Sequence, residues 1–247
     1  MMEIDQHTLL NLGVNEEDVL NIYIVGSHLW QTAHHKSDYD LLIITQDSNP
    51  TKQQQQQSKA ISHGKTKGKG KGKEESSSNN KRGSSNQITQ GIKGSHWARY
   101  DARVVPYSHF IDLFMELEMD IIITCWIPPS HIVKQSFLPL NLLTSIESLD
   151  QVKLVRGVLE RSEKDWDKAE KFHSKGKLIE GTKILLHGIR NHLLVLQIQE
   201  FGKVKDFDIL TRYLESRELD IKLLTYGPSL CEIFQQTKIE MKKACGL

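Results

Sequence analysis

Hydrophobic residues are arranged differently in the early and late parts of the chain. Residues 22–25 and 41–44 are two short apolar runs, each of the length of a buried strand. Residues 97–106 indicate a third strand, and residues 5–12 and 15–20 predict short helical turns. Strands and helices therefore alternate in the first part of the sequence.

Helical periodicity predicts a helix over residues 108–119, where Phe110, Leu113, Phe114 and Leu117 recur at i, i+3, i+4 and i+7. After about residue 140 the pattern predicts two long helices, the second ended by Gly202, and then helices over residues 208–216 and 229–244. The apolar positions of the long helices are Val152, Val155, Leu159 and Trp166, and then Ile184, Leu185, Ile189, Leu193, Leu196 and Phe201. We therefore predict an α+β fold: a small mixed or antiparallel sheet domain over residues 1–140 and an all-α helical domain over residues 141–247.

A low-complexity stretch at about residues 47–96 interrupts the first domain. It contains a glutamine run, alternating lysine and glycine, and a run of serine and asparagine, so it has too little apolar surface to offset the entropy of ordering. We predict a disordered insertion. Residues 51–95 carry a net charge of +8, which leaves −7 on the rest of a chain whose total is +1. A basic arm for RNA phosphates is one interpretation, but a tolerated loop expansion is the better one, because long insertions cost little.

Cysteine usage and the apolar runs limit the class of protein. Cys125, Cys231 and Cys245 lie far apart without Cys-x-x-Cys spacing, which argues against a disulfide framework or a zinc knuckle. The acidic residues 1–5 do not resemble a secretory signal, and the longest apolar run, residues 121–127, is too short to span a membrane. We expect a cytoplasmic protein with no membrane partner; a nuclear location is the alternative that the sequence leaves open.

The sequence from the first to the second predicted strand carries the chemistry. Gly26 and Ser27 follow the first strand, and Asp38 and Asp40 open the second. Side chains alternate along a strand, so the two carboxylates point to the same face. Their repulsion is relieved by a cation, and oxygen ligands suit Mg²⁺ or Mn²⁺. The glycine turn lets backbone N–H groups approach phosphate oxygens, so we predict a pocket for a metal ion and a triphosphate.

This order of a strand, Gly-Ser, a loop and Asp-x-Asp resembles the nucleotidyltransferase domain of the DNA polymerase beta superfamily. The resemblance is close over residues 15–45, including Ser37 before the acidic pair, and looser to about residue 140. It implies a metal-dependent nucleotidyltransferase that uses a nucleoside triphosphate, with ATP expected. Asp38 and Asp40 would be catalytic metal ligands, and Gly26, Ser27 and Ser37 would bind the nucleotide.

The resemblance also implies a third carboxylate on a later strand. Asp101 is our assignment, as a catalytic residue and metal ligand, since it precedes an apolar strand segment and a helix. Asp112 and Asp120 fit less well, because both belong to the predicted helix or its end. The sequence departs from the family pattern at Gln31, where many members have a second glycine, and the bulky Leu29 and Trp30 precede it.

The acceptor is not determined by the sequence. An RNA end is the first hypothesis, and a protein hydroxyl or a small molecule is the alternative; a non-catalytic nucleotide- or RNA-binding module is the competing class. His187 and His192 are five residues apart, which does not suit a shared metal, so we interpret both as partly buried structural histidines. Arg190 and the lysines of residues 175–183 either place cations beside the cleft or form a solvated helix face.

Overall fold

A computed structural model of the protein describes residues 4–33, 37–47, 92–93, 99–144, 150–221 and 224–247. The predicted insertion lies outside the described residues except for Asp47 and residues 92–93, so its disorder stays a prediction. His34, His35 and Lys36 of the loop before Asp38 also lie outside them.

A mixed sheet forms the first part of the fold. Its strands are β1 (Val19–Val25), β2 (Tyr39–Thr45), β3 (Ile92–Lys93), β4 (Arg99–Pro106) and β5 (Ile132–Gln135). Their order across the sheet is β3-β4-β2-β1-β5. Strand β2 pairs parallel with β4, whereas β1 pairs antiparallel with both β2 and β5, and β3 pairs antiparallel with β4. The predicted α+β class with a small mixed sheet is confirmed.

Helices precede, connect and follow these strands. They are α1 (Gln6–Asn11), α2 (Gly26–Leu29), α3 (Tyr107–Met115), α4 (Met119–Ile122), α5 (Leu140–Thr144), α6 (Gln151–His173), α7 (Leu178–Phe201), α8 (Ile209–Glu215) and α9 (Pro228–Ala244). Among the described residues, none of these helices combines the length and the apolar character needed to cross a bilayer. The C-terminal region is helical, as predicted, and Gly202 ends α7 with a left-handed backbone (φ 69°). The domain boundary near residue 140 stays a prediction.

Two predicted helical segments differ from the structure. The helix predicted over residues 108–119 ends at Met115, because Leu117 adopts φ 60° and turns the chain before the short helix α4. The segment predicted as a helical turn at residues 15–20 is only a 3₁₀ turn, Glu16–Asp18, and strand β1 already begins at Val19. Asn15 donates its side-chain amide to Asp18 and caps no backbone group. Local turns of this kind leave no periodic signal.

Each face of the sheet packs into a different hydrophobic core. Leu41 and Ile43 of β2 point to the face that α1 covers, together with Leu9 and Leu12. Leu42 and Ile44, at the alternate positions of β2, point to the opposite face, and so does Val105 of β4. That face shares one core with α3, α4 and the long helices, whose contributions include Val155, Leu194 and Ile198. Helices α6 and α7 therefore pack directly on the sheet-containing part of the chain.

The helical region also has a core of its own. The His192 ring is fully buried between the Ser162 hydroxyl at 2.6 Å and the Thr237 hydroxyl at 2.9 Å. Burial lowers the pKa of His192 to about 3, so the ring is neutral at pH 7. Helix α9 packs on α7 through Phe234, which is fully buried against Gly188. Gly188 thus permits the close approach of the two helices.

Replacing Gly188 by alanine should lower the free energy of unfolding by about 1–3 kcal/mol, the usual cost of overpacking a core. A Cβ there would overlap the Phe234 ring. Gly157→Ala on α6 is the matched control, since a Cβ at Gly157 meets nothing within 4 Å. We expect this control to raise stability by up to about 1 kcal/mol through helix propensity. Urea denaturation compares the variants, and equal stability of the two would contradict the α7–α9 packing.

Candidate active site

The parallel pairing of β2 and β4 brings two of the predicted carboxylates side by side. Asp40 and Asp101 are register partners on adjacent strands, and Asp38 lies two residues before Asp40, just ahead of β2. By strand alternation Asp40 and Asp101 belong to the same face as Leu42, Ile44 and Val105, which is the face that packs against the helical region. Asp38 is exposed and Asp40 is half-buried. Asp38, Asp40 and Asp101 therefore form a group of carboxylates, here called the acidic edge. It lies at the end of the sheet where β2 and β4 begin and where this face opens to solvent.

Helix α2 begins directly over the Asp40 carboxylate. Gly26, its first residue, has φ 62°, and a Cβ at this position would overlap the Asp40 side chain. The next residue, Ser27, donates its backbone N–H to Asp40. Glycine is required at position 26 both by its backbone conformation and by this close approach. The predicted Gly-Ser turn thus lies against the predicted acidic pair.

The carboxylates interact electrostatically. Burial raises the pKa of Asp40 above its ordinary value; the hydrogen bond from Ser27 lowers it, and the negative charges of Asp101 and Asp38 raise it again. Such an accumulation of carboxylate oxygens has the chemistry of a site for a hard divalent cation. Among the described residues, however, no three Asp, Glu, His or Cys side chains lie close enough together to hold a metal ion as they stand. The roles of Asp38, Asp40 and Asp101 as metal ligands stay a prediction.

The loop after α2 keeps a glycine-like backbone without a glycine. Gln31, which replaces the second glycine of the family pattern, adopts φ 54°, in the left-handed region. Leu29 and Trp30 are 1% and 5% exposed and belong to the core shared with the long helices. The indole is therefore directed into the protein interior and does not fill the space above the acidic edge.

Aromatic rings lie on the opposite face of the sheet at the end where β2 and β4 begin. The His28 imidazole stacks on Tyr39 with ring centroids 3.9 Å apart, and Tyr39 lies 6.1 Å from Tyr100 on the neighbouring strand. His131 is within 3.3 Å of the His28 carbonyl oxygen. Burial raises the pKa of Asp40, and an electrostatic interaction with His28 acts in the opposite direction, which places the His28 ring near that carboxylate. The pattern of the sequence did not single out these contacts.

The two alternative carboxylates lie on helices. Asp112 is an exposed residue of α3, whereas Asp120 belongs to α4 and faces His187 of α7. Another carboxylate, Asp47, accepts hydrogen bonds from both the backbone N–H and the hydroxyl of Ser108 at the start of α3. This contact joins the end of β2 to the helix after β4, and no local sequence signal connects the two residues.

No family model matches the sequence, and no match was found among curated proteins. Among solved structures, the chain is similar to a nucleotidyltransferase-like protein from Exiguobacterium sibiricum, with 9% identity and a TM-score of 0.30, over 93% of this chain and 69% of that chain. A similarity of this size carries no argument about function, so the functional inference depends on the residues of the site.

Replacing Asp101 by asparagine should lower the pKa of Asp40, because the Asp101 charge opposes ionisation of its neighbour. Carboxyl-detected NMR titration would measure the pKa of Asp40 in both proteins. Asp112→Asn, which removes an exposed carboxylate on α3, is the matched control and should leave the pKa of Asp40 unchanged. An unchanged Asp40 pKa in the Asp101 variant would contradict the electrostatic coupling.

Gln31→Gly should raise the free energy of unfolding by up to about 1 kcal/mol, because glycine adopts the left-handed conformation without the steric cost that Gln31 bears. Gln31→Val should have the opposite effect, since a β-branched residue is strained there. Guanidinium denaturation gives both values. A destabilised glycine variant would show that the Gln31 side chain contributes more than its backbone costs.

Proposed function

We propose that the protein is a nucleotidyltransferase that transfers a nucleotidyl group, AMP from ATP, to a hydroxyl acceptor. The supporting observation is the register pairing of Asp40 with Asp101 beside the turn formed by Gly26 and Ser27. The raised pKa of Asp40 favours a cationic partner, and a tight turn next to it suits a phosphorylated ligand. Both properties belong to one edge of the sheet.

Asp38, Asp40 and Asp101 would hold Mg²⁺ or Mn²⁺ through carboxylate oxygens, the ligands that these ions prefer. When bound, the metal would neutralise triphosphate charge and make the acceptor hydroxyl more acidic. This proposal explains why three carboxylates would be kept on one edge despite their repulsion. The charge arrangement, which is unfavourable in the free protein, would become favourable when the metal ion binds.

The residues of the chain have separate parts in the transfer. Gly26, Ser27 and Ser37 would orient the phosphates through backbone N–H groups and hydroxyls. Asp101 would accept the proton of the acceptor hydroxyl as its oxygen attacks the α-phosphorus. The bond from the α-phosphorus to the bridging oxygen breaks in the same step, and pyrophosphate leaves. Protein atoms thus orient the donor and receive the proton.

An RNA end is the acceptor that the charge distribution favours. The segment of residues 51–95 carries +8, and its residues 92–93, which form β3, pair with residues 99–100 of β4. Asp101 is the next residue of β4. Residues 92–93 therefore pair with β4 directly before Asp101, and the cations of the segment would attract a polyanionic acceptor. A protein hydroxyl or a small molecule remains the alternative acceptor.

Incubation with α-³²P-labelled ATP, Mg²⁺ and separate RNA and protein pools tests the proposal. We expect label in the RNA pool and release of unlabelled pyrophosphate. Asp40→Asn and Asp101→Asn should reduce transfer by at least about 100-fold, since even outer-shell partners of metal ligands cost 10- to 100-fold. Asp112→Asn, on the surface of α3, is the control and should transfer at the wild-type rate.

The distribution of label distinguishes the competing functions. Label in the protein pool would assign a protein acceptor. Nucleotide binding without transfer to any pool would favour a binding module. Transfer that persists in both aspartate variants would overturn the assignment of this edge as the catalytic site.

A further inference from the structure

The loop that carries Gly26 and Ser27 depends on tertiary packing for its position. Helix α2 has only four residues, and its N-cap, Val25, provides no side-chain hydrogen bond. So short a helix is not stable by itself. It begins at one left-handed residue, Gly26 at φ 62°, and is followed by another, Gln31 at φ 54°. The residues that hold the C-terminal end of α2 therefore also fix the orientation of the Gly26–Ser27 turn at Asp40.

Trp30, directly after α2, is this anchor, and the helical region holds it. Its indole lies 5.4 Å from the Phe207 ring, centroid to centroid. The Arg190 guanidinium carbon lies 4.0 Å from the centroid of the Trp30 ring, within the distance at which a cation is attracted to an aromatic face. Arg190 belongs to α7, and Phe207 lies between α7 and α8. Both contacts reach across from the helical region to the loop.

Arg190 has few other partners. Its Nε is buried without a hydrogen-bond partner, and within the described parts of the chain no carboxylate lies within 4 Å of the guanidinium. Burial lowers the pKa of Arg190 to about 10, although the charge of Asp120 raises it, so the side chain remains cationic at pH 7. Arg190 is half-buried, and a charge that is partly removed from water is costly unless it has a partner. The aromatic face of Trp30 is the close partner that the structure provides.

A second contact from the same face of α7 supports this arrangement. His187, three residues before Arg190, lies 3.9 Å from Asp120 of α4 and 3.5 Å from Asp165 of α6. Arg161 of α6 lies 3.5 Å from Asp165. Burial raises the pKa of Asp120, but the hydrogen bond to His187 and the nearby positive charges prevail and lower it to about 2. Helix α7 is thus fixed relative to the sheet-containing part at two points.

We propose that Arg190 is a positioning residue: by holding Trp30, it keeps α2 in the place from which the Gly26–Ser27 turn contacts Asp40. The contact between helical region and loop does not depend on the chemistry at the acidic edge. The expected effect on substrate binding, however, rests on the proposed function. Arg190 is not required to touch the substrate in this proposal, because it acts through Trp30.

The test compares Arg190→Gln, which removes the cation, with Arg190→Lys, which retains it. Amide hydrogen exchange of residues 27–32 reports the position of α2 without any substrate. In Arg190→Gln we expect exchange in this segment, including the Ser27 amide that donates to Asp40, to increase about tenfold. Arg190→Lys should remain close to wild type. Arg156→Gln, on the exposed face of α6, is the matched control.

Kinetics separate this role from direct contact and from the proposed function. If ATP is the donor, Arg190→Gln should raise KM about tenfold and change kcat less. A raised KM with unchanged exchange over residues 27–32 would mean that Arg190 binds substrate directly, which overturns the positioning role. A third outcome is that the wild-type protein binds no nucleotide while exchange over residues 27–32 is faster in Arg190→Gln. This outcome would retain the positioning role and reject the proposed function.

A second variant covers the case in which Arg190→Gln does not fold. Trp30→Phe keeps an aromatic ring but shortens the anchor, so we expect an intermediate increase in exchange over residues 27–32. Unchanged exchange in folded Arg190→Gln or, where that variant does not fold, in Trp30→Phe would overturn the proposal.

Discussion

The parallel pairing of β2 with β4 is the constraint on which the candidate site depends. It brings Asp40 next to Asp101, although about sixty residues separate them in the sequence. Adjacent strands lie about 4.8 Å apart, so the two charges repel each other at close range. Backbone pairing and the apolar rows below, which include Leu42, Ile44 and Val105, hold the strands together against this repulsion. Burial of hydrophobic surface thus sustains an unfavourable charge arrangement, which is common at functional sites.

The same hydrophobic core connects the acidic edge to the helical region. Trp30 and Leu29 of the loop, Leu42 of the sheet and Val155 of α6 all contribute to it. The packing of the long helices is therefore continuous with that of α2, which carries the turn at Asp40. On the proposed function, the helical region would form one wall of the site and would also hold the loop that carries Gly26 and Ser27.

Much of the fold could be predicted from short-range patterns in the sequence. The long-range contacts could not be predicted in this way. Strands β1 and β2, the long helices and the end of α7 at Gly202 follow from residue periodicity and from the conformational freedom of glycine. The end of α3 could not be predicted from periodicity, because Leu117 adopts a left-handed backbone that leucine rarely takes. The partnership of Arg190 with Trp30 joins distant segments, and nothing local marks it. The metal, nucleotide and acceptor assignments follow from residue chemistry and resemblance, and they stay predictions.

The connection between β2 and β4 is far longer than its crossover requires. Because the strands are parallel, the chain that leaves Thr45 must return to the opposite end of the sheet at Arg99. A strand of seven residues spans about 23 Å, a distance that roughly seven extended residues cover. Residues 46–98 exceed this minimum severalfold. The spacing of the strands therefore sets no upper limit on the length of this connection, so adding or removing tens of residues here would still allow Asp101 to return to the same register.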